Sequence, residues 1–146
     1  MKRSNKSRPI MRSERIQDYC IYCPDNEEIR LISASNYVYL AFPKRKTFQK
    51  YWHFILAPVE HQPTTIGLNE DVLTELSNYK KCLLQMFDKK GYLVVFFEQF
   101  SQDNSHIFIE CLAVPFAKGQ DFPFFFKQSL ETIEGNWTTH NSLIKI

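Results

Sequence analysis

A chain of 146 residues, 44% apolar and 15% aromatic, has enough apolar surface for one complete core and too little length for two. Its net charge of +2 is unevenly spread: within residues 1–16, Lys2, Arg3, Lys6, Arg8, Arg12 and Arg15 face only Glu14, so this stretch carries +5 and the remainder −3. The N-terminus lacks the apolar core of a signal peptide, and runs such as Tyr92 to Phe97 are far too short to span a membrane. The expected class is therefore an intracellular protein without membrane partners, with its four cysteines serving as thiols or metal ligands and not as a disulfide framework.

Residues 1–16 combine basic and polar side chains without apolar periodicity and cannot bury enough surface to offset their ordering entropy. They read as a basic flexible arm suited to a phosphate backbone, or as a solvated tail, and residues 17–146 read as the domain. Cys20 and Cys23 flank a short turn that leads into two strand-like segments, Arg30 to Ser33 and Tyr37 to Phe42. The loop Pro43 to Gln49 separates these from Trp52 to Ala57, an apolar run that stops at Pro58. Asn69 precedes Glu70 and Asp71, which suit a first helical turn; Val72, Leu76, Tyr79, Leu83 and Met86 then recur at spacings of three and four, predicting one amphipathic helix that ends near Gly91. Tyr92 to Glu98 and His106 to Val114 read as an antiparallel pair in the middle of a sheet, with Gln99 to Ser105 as the turn. Beyond Pro115, the aromatic run Phe122 to Phe126, either core or a docking edge, leads into a helical segment from Lys127 to Glu134, and Trp137 and Leu143 are candidate anchors. This order predicts an α+β domain, a mostly antiparallel sheet packed by one long helix.

The Cys20 and Cys23 pair puts two thiolates on one turn, where both can reach a single tetrahedral ion. Two further ligands are needed, and the candidates are His53, His61, His106 and His140, with Cys82 and Cys111 less suited because a helix stripe and a strand are expected to bury them as small apolar side chains. His140 has no patterned neighbours. His61, just after a strand end, and His106, at a strand start, stand where backbone can converge; the alternative is that both are ordinary loop histidines. Arg45, Lys46, Lys50, Tyr51, Trp52 and His53 interleave basic and aromatic side chains, a pattern that suits either a nucleic-acid surface or a solvated connection.

The segments Cys20-Ile-Tyr-Cys23, Tyr37-Val-Tyr-Leu-Ala-Phe-Pro43, His53-Phe-Ile-Leu-Ala-Pro58 with His61, Leu68-Asn-Glu-Asp71, Met86-Phe87 ahead of Gly91, Val94-Val-Phe-Phe-Glu98 and His106-Ile-Phe-Ile-Glu-Cys111 with Pro115 resemble, in order and spacing, the first conserved C-terminal domain of the CwfJ family of spliceosome-associated proteins, itself similar in fold to the HIT superfamily. The resemblance runs from Cys20 to about Ile146. It implies a HIT-like sheet with a zinc knuckle and a structural zinc ion (Zn2+) held by Cys20, Cys23, His61 and His106. Trp52 departs from the family, which usually has glycine there.

The same resemblance places Phe108 at the position of the nucleophilic histidine of HIT enzymes and Glu110 at the next histidine. A phenyl ring has no lone pair with which to form a phosphoryl or nucleotidyl intermediate, so the expectation is recognition and not catalysis. Phe108 itself reads as a core aromatic or as a base-stacking side chain. The implied function is that of a nuclear pre-mRNA splicing factor contacting RNA (intron lariat, small nuclear RNA) and spliceosomal proteins in late, intron-lariat spliceosomes, and assisting lariat debranching with the debranching enzyme as a further partner. The RNA contacts are expected at Arg45, Lys46, Lys50, Tyr51, Trp52 and His53. The alternative is a divergent HIT-type nucleotide hydrolase or transferase that uses His53 or Glu110.

Overall fold

In a computed structural model of the chain, residues 20–24, 27–45, 48–98 and 105–132 are described. Five strands, β1 (Arg30–Ala34), β2 (Val38–Phe42), β3 (Trp52–Pro58), β4 (Tyr92–Glu98) and β5 (Ile109–Pro115), form one antiparallel sheet in the order β1-β2-β3-β5-β4. Among the described residues three helices accompany them: α1 (Glu70–Asp88), the single turn α2 (Phe116–Gly119) and α3 (Phe122–Thr132). This is the α+β class expected from the sequence pattern, a mostly antiparallel sheet packed by one long helix.

Helix α1 starts where its chemistry dictates: the Asn69 side chain accepts a hydrogen bond from the Val72 N–H at 2.9 Å, and Glu70 and Asp71 stand in the positive first turn. Its stripe buries Val72, Leu76, Leu83 and Phe87 against Val38, Leu40, Phe54, Leu56, Val94, Ile109, Cys111 and Ala113. Met86, predicted to close the stripe, is exposed, because Leu83 to Phe87 keeps the four-residue step. Cys82, expected to be buried, is exposed for the same reason: Leu83 beside it takes the core position. Cys111 is buried as expected, and burial pushes its thiol up to about 12. Gly91 reverses the chain into β4 with φ +75°, and its carbonyl accepts the Phe116 N–H at 3.0 Å.

Strands β4 and β5 pair from Tyr92↔Pro115 to Glu98↔Ile109, but the pair is not central. Strand β5 also pairs with β3, which leaves β4 at the edge. The ladder begins at Ile109 and not at His106. In the continuing register Ile107 would oppose Pro58, which has no N–H to give, and Ile107 donates instead to the Gln62 carbonyl at 2.6 Å.

The second sheet face buries Tyr39, Ala41, Ile55 and Ala57, with Tyr22, Ile29, Val59 and Phe108 packed over them. Near the β4/β5 edge α2 covers this face so closely that a Cβ on Gly119 would lie 2.9 Å from the Leu93 Cβ. The run Phe122 to Phe126 opens α3, five residues ahead of the predicted start, and Phe124, Phe125 and Phe126 are exposed, so these three are not core. Lys46, residues 1–16, Trp137, His140 and Leu143 lie outside the described residues.

Candidate metal centre

The CxxC turn is positioned by β2. Tyr22, between the two cysteines, offers its carbonyl to the Tyr39 hydroxyl at 2.6 Å and its N–H to the Cys20 Sγ at 3.4 Å. Burial first, then the neighbouring Cys20 and Cys23 sulfurs, pushes the Tyr39 phenol up, so it stays a proton donor. His61 follows the end of β3, and the Ile107–Gln62 hydrogen bond draws the start of the last hairpin arm beside it. As a result the ligand atoms of Cys20, Cys23, His61 and His106 all lie within 4.8 Å of one another. Cys23 Sγ is 3.5 Å from His61 Nδ1 and 3.4 Å from His106 Nδ1.

The two Cys23 distances match the edges of a four-coordinate site, and the 4.8 Å span of the whole group is about 1 Å wider than such a site. A tetrahedron with Zn–S near 2.3 Å and Zn–N near 2.0 Å has edges of roughly 3.3–3.8 Å. The donor chemistry fits as well. His106 is 2% exposed and gives its Nε2–H to the Pro58 carbonyl at 2.8 Å, which fixes the tautomer with the Nδ1 lone pair turned to the cysteines. Burial, reinforced by His61, lowers its pKa to about 4 against the opposing effect of the Pro58 bond, so the ring is neutral near pH 7.

Beside this cluster the covered face carries a polar pair. His53, 5% exposed, meets Glu110 through Nε2 and Oε2 at 2.9 Å, and the edge of its ring faces Phe48 at 5.2 Å between centroids. Its Nδ1 is buried with no hydrogen-bond partner among the described residues. Phe108 is half-buried under the Tyr22 ring, centroids 4.5 Å apart. The sequence treats His53 and Glu110 separately; only the β3–β5 register, with Ile55 opposite Glu110, brings them onto one diagonal.

The predicted RNA set is divided by strand alternation. Arg45 and Lys50 are exposed, Tyr51 is half-buried, and Lys46 lies outside the described residues. Trp52 turns to the α1 side, stacking on Phe54 and meeting Phe87. His53, expected to share an RNA-contacting surface with Trp52, is buried on the opposite face, because adjacent strand residues point to opposite sides. Tyr22 and the Pro58 carbonyl escape the sequence reading. Tyr22 is signalled only by its place inside the CxxC turn, and nothing in the sequence marks the carbonyl.

The fold is that of the HIT-like class. A histidine triad nucleotide-binding protein from Candida albicans superposes with a TM-score of 0.52 at 12% identity over 79% of this chain and 99% of that one. A hypothetical protein from Leishmania major superposes at 0.55, with 8% identity over 80% and 99%. Residues 5–127 match the family described as "Protein similar to CwfJ C-terminal", and the chain belongs to that family. Relatives include a "CWF19-like protein 2 homolog" of Drosophila melanogaster and "Pre-mRNA-splicing factor cwf19" of Schizosaccharomyces pombe, each 31% identical over 134 residues and 88% of this chain. A "Zinc finger CCCH domain-containing protein 64" of Arabidopsis thaliana is 30% identical over 115 residues and 79% of the chain. The chain spans only about a fifth of these relatives, 19%, 21% and 19% of their lengths respectively. Among the described residues no helix is long and apolar enough to cross a membrane.

Proposed function

We propose that this chain is a non-catalytic, zinc-stapled module of the pre-mRNA splicing machinery. It acts in the nucleus, contacts RNA and protein in late, intron-lariat spliceosomes and assists lariat debranching; its partners are intron-lariat and small nuclear RNA, spliceosomal proteins and the debranching enzyme. The observation that carries the non-catalytic reading is Phe108, a side chain without a lone pair packed under Tyr22 at the position the family resemblance gives to a nucleophile. A zinc ion bound by Cys20, Cys23, His61 and His106 supplies a structural cross-link there, tying the residues ahead of β1 to the sheet, and its binding energy is part of the folding energy. The basic arm of residues 1–16 and exposed Arg45 and Lys50 supply phosphate contacts, whose strength falls steeply with salt.

Crosslinking to RNA and co-purification with late spliceosomes from nuclear extract, together with about one zinc per chain in protein purified without chelator, are the expected results. Absence of RNA crosslinks at low and moderate salt removes the RNA part of the reading, and zinc well below one equivalent removes the staple.

The His53–Glu110 contact favours one alternative, a divergent nucleotide hydrolase or transferase in which the carboxylate orients the imidazole. Turnover of nucleoside phosphoramidates or dinucleoside polyphosphates, abolished by His53→Ala, would replace the binding reading with this one.

A further inference from the structure

On the α1 side, the open end of the sheet carries an aromatic surface that the core does not absorb. Arg30 stands opposite Phe42, its guanidinium carbon 5.7 Å from the Phe42 ring centre and its Nη2–H donated to the Pro43 carbonyl at 3.0 Å. Phe42 packs on Phe54 at 5.8 Å, and Trp52 lies nearly parallel to Phe54, 10° between planes with centroids 6.4 Å apart. Phe54 is buried, yet Phe42 is 42% and Trp52 53% exposed. Core packing alone does not require two large rings to be half open on either side of a third.

The charges at this end share one sign more than the other. Arg30 caps the row, exposed Arg45 and Lys50 lie in the segment between β2 and β3, and exposed Lys89 and Lys90 follow Phe87, whose ring touches both Trp52 and Phe54. Of the acids here, Glu28 is engaged by Lys44, and Glu27 and Asp88 are exposed. Apolar rings with flat faces, a guanidinium held over one of them and lysines around the rim suit unpaired nucleotides: bases stack on the rings while phosphates meet the cations. A protein partner would find the same rings but would gain less from the basic rim.

The geometry points to Arg30, Phe42 and Trp52 as a stacking platform for single-stranded RNA on the α1 side of the sheet, opposite the face that holds the metal cluster and the His53–Glu110 pair. This rests on the RNA part of the proposed function and names its contact surface. It moves that surface away from His53 and adds Arg30 and Phe42 to it.

The test uses the full chain with zinc present, a mixed-sequence ten-nucleotide oligoribonucleotide and the same sequence as a duplex. Trp137→Phe serves as the background, so that emission comes from Trp52 alone. The single strand should quench Trp52 emission and bind in preference to the duplex. Trp52→Ala should weaken binding by about tenfold or more, while Trp52→Phe keeps most of the affinity. Because Trp52 also packs on Phe54 and Phe87, Arg30→Gln is measured beside it, with thermal melting of each variant. Arg30→Gln leaves the buried rings in place and should weaken binding several-fold. Binding of the single strand that is unchanged by both Trp52→Ala and Arg30→Gln, or equal affinity for the duplex, overturns the platform and leaves RNA binding itself standing. No binding by the background protein overturns both.

Discussion

The two faces of the sheet are held by different forces. Toward α1 the contacts are apolar and continuous, with Leu56, Phe54, Ile109 and Ala113 meeting Val72, Leu76, Leu83 and Phe87. Toward the CxxC turn the apolar cluster is small, and closure depends on a few directed contacts: Tyr39 to the Tyr22 carbonyl, His106 to the Pro58 carbonyl, His53 to Glu110, and the converging sulfurs and imidazoles. A face closed by area tolerates small changes and loses stability in proportion to lost volume, whereas a face closed by directed contacts fails when one of them is removed.

The largest expected effect is on the directed face. Removing the proposed zinc with a strong chelator, or making Cys23→Ser, should lower the melting temperature sharply. Hydrogen exchange should then rise first at Tyr22, Tyr39 and Ala57, while α1 amides from Leu76 to Leu83 stay protected. Equal loss of protection on both faces would erase the distinction.

Next in size, Leu56→Ala removes a fully buried side chain from the area-closed face and should cost about 3 kcal/mol in denaturant unfolding, by the same amount with and without chelator. Dependence of that cost on metal would mean that the faces are coupled. Glu110→Ala should cost about 2 kcal/mol, because it leaves His53 Nε2 buried without its carboxylate; the double variant with His53→Leu should recover part of it. Gly119→Ala should cost about 1–2 kcal/mol, since its Cβ would press on Leu93 and Val114. The smallest perturbation is chemical. Iodoacetamide should label exposed Cys82 in the native protein and leave Cys111, whose buried thiol is pushed up to about 12, until the chain unfolds; site-resolved mass spectrometry reads both.

Patterns that depend on neighbouring residues were legible in the sequence. Strand β4 coincides with the predicted Tyr92 to Glu98, and α1 begins with the predicted acidic first turn of Glu70 and Asp71, because an apolar run, a helical stripe and first-turn charges are local. Cys20, Cys23, His61 and His106 lie together, and two thiols on one turn with histidines at two strand ends narrow that choice before the chain folds. Three features were not legible. The edge position of β4 depends on β5 choosing β3 as its second neighbour. The start of β5 depends on Pro58 across the sheet, a residue 51 positions away from Ile109. The division of Trp52 from His53 was available from alternation, since the apolar run was read from Trp52 and β3 begins there, but grouping Trp52 and His53 with the basic residues as one nucleic-acid surface set it aside.

The metal cluster joins residues far apart in the chain: Cys23 and His106 are 83 positions apart. A ribosome adding about 5–20 residues per second takes roughly 4–17 s to go from one to the other. The two sulfurs therefore leave the exit tunnel well before the second imidazole that meets them, while α1 can coil as soon as its own residues emerge. In the growing chain the helix can settle on β2 and β3 early, but Ile109 to Ala113 of that face emerge after His106, so both faces are completed only with the last strand, and the thiols of a newborn molecule wait that long for the second imidazole.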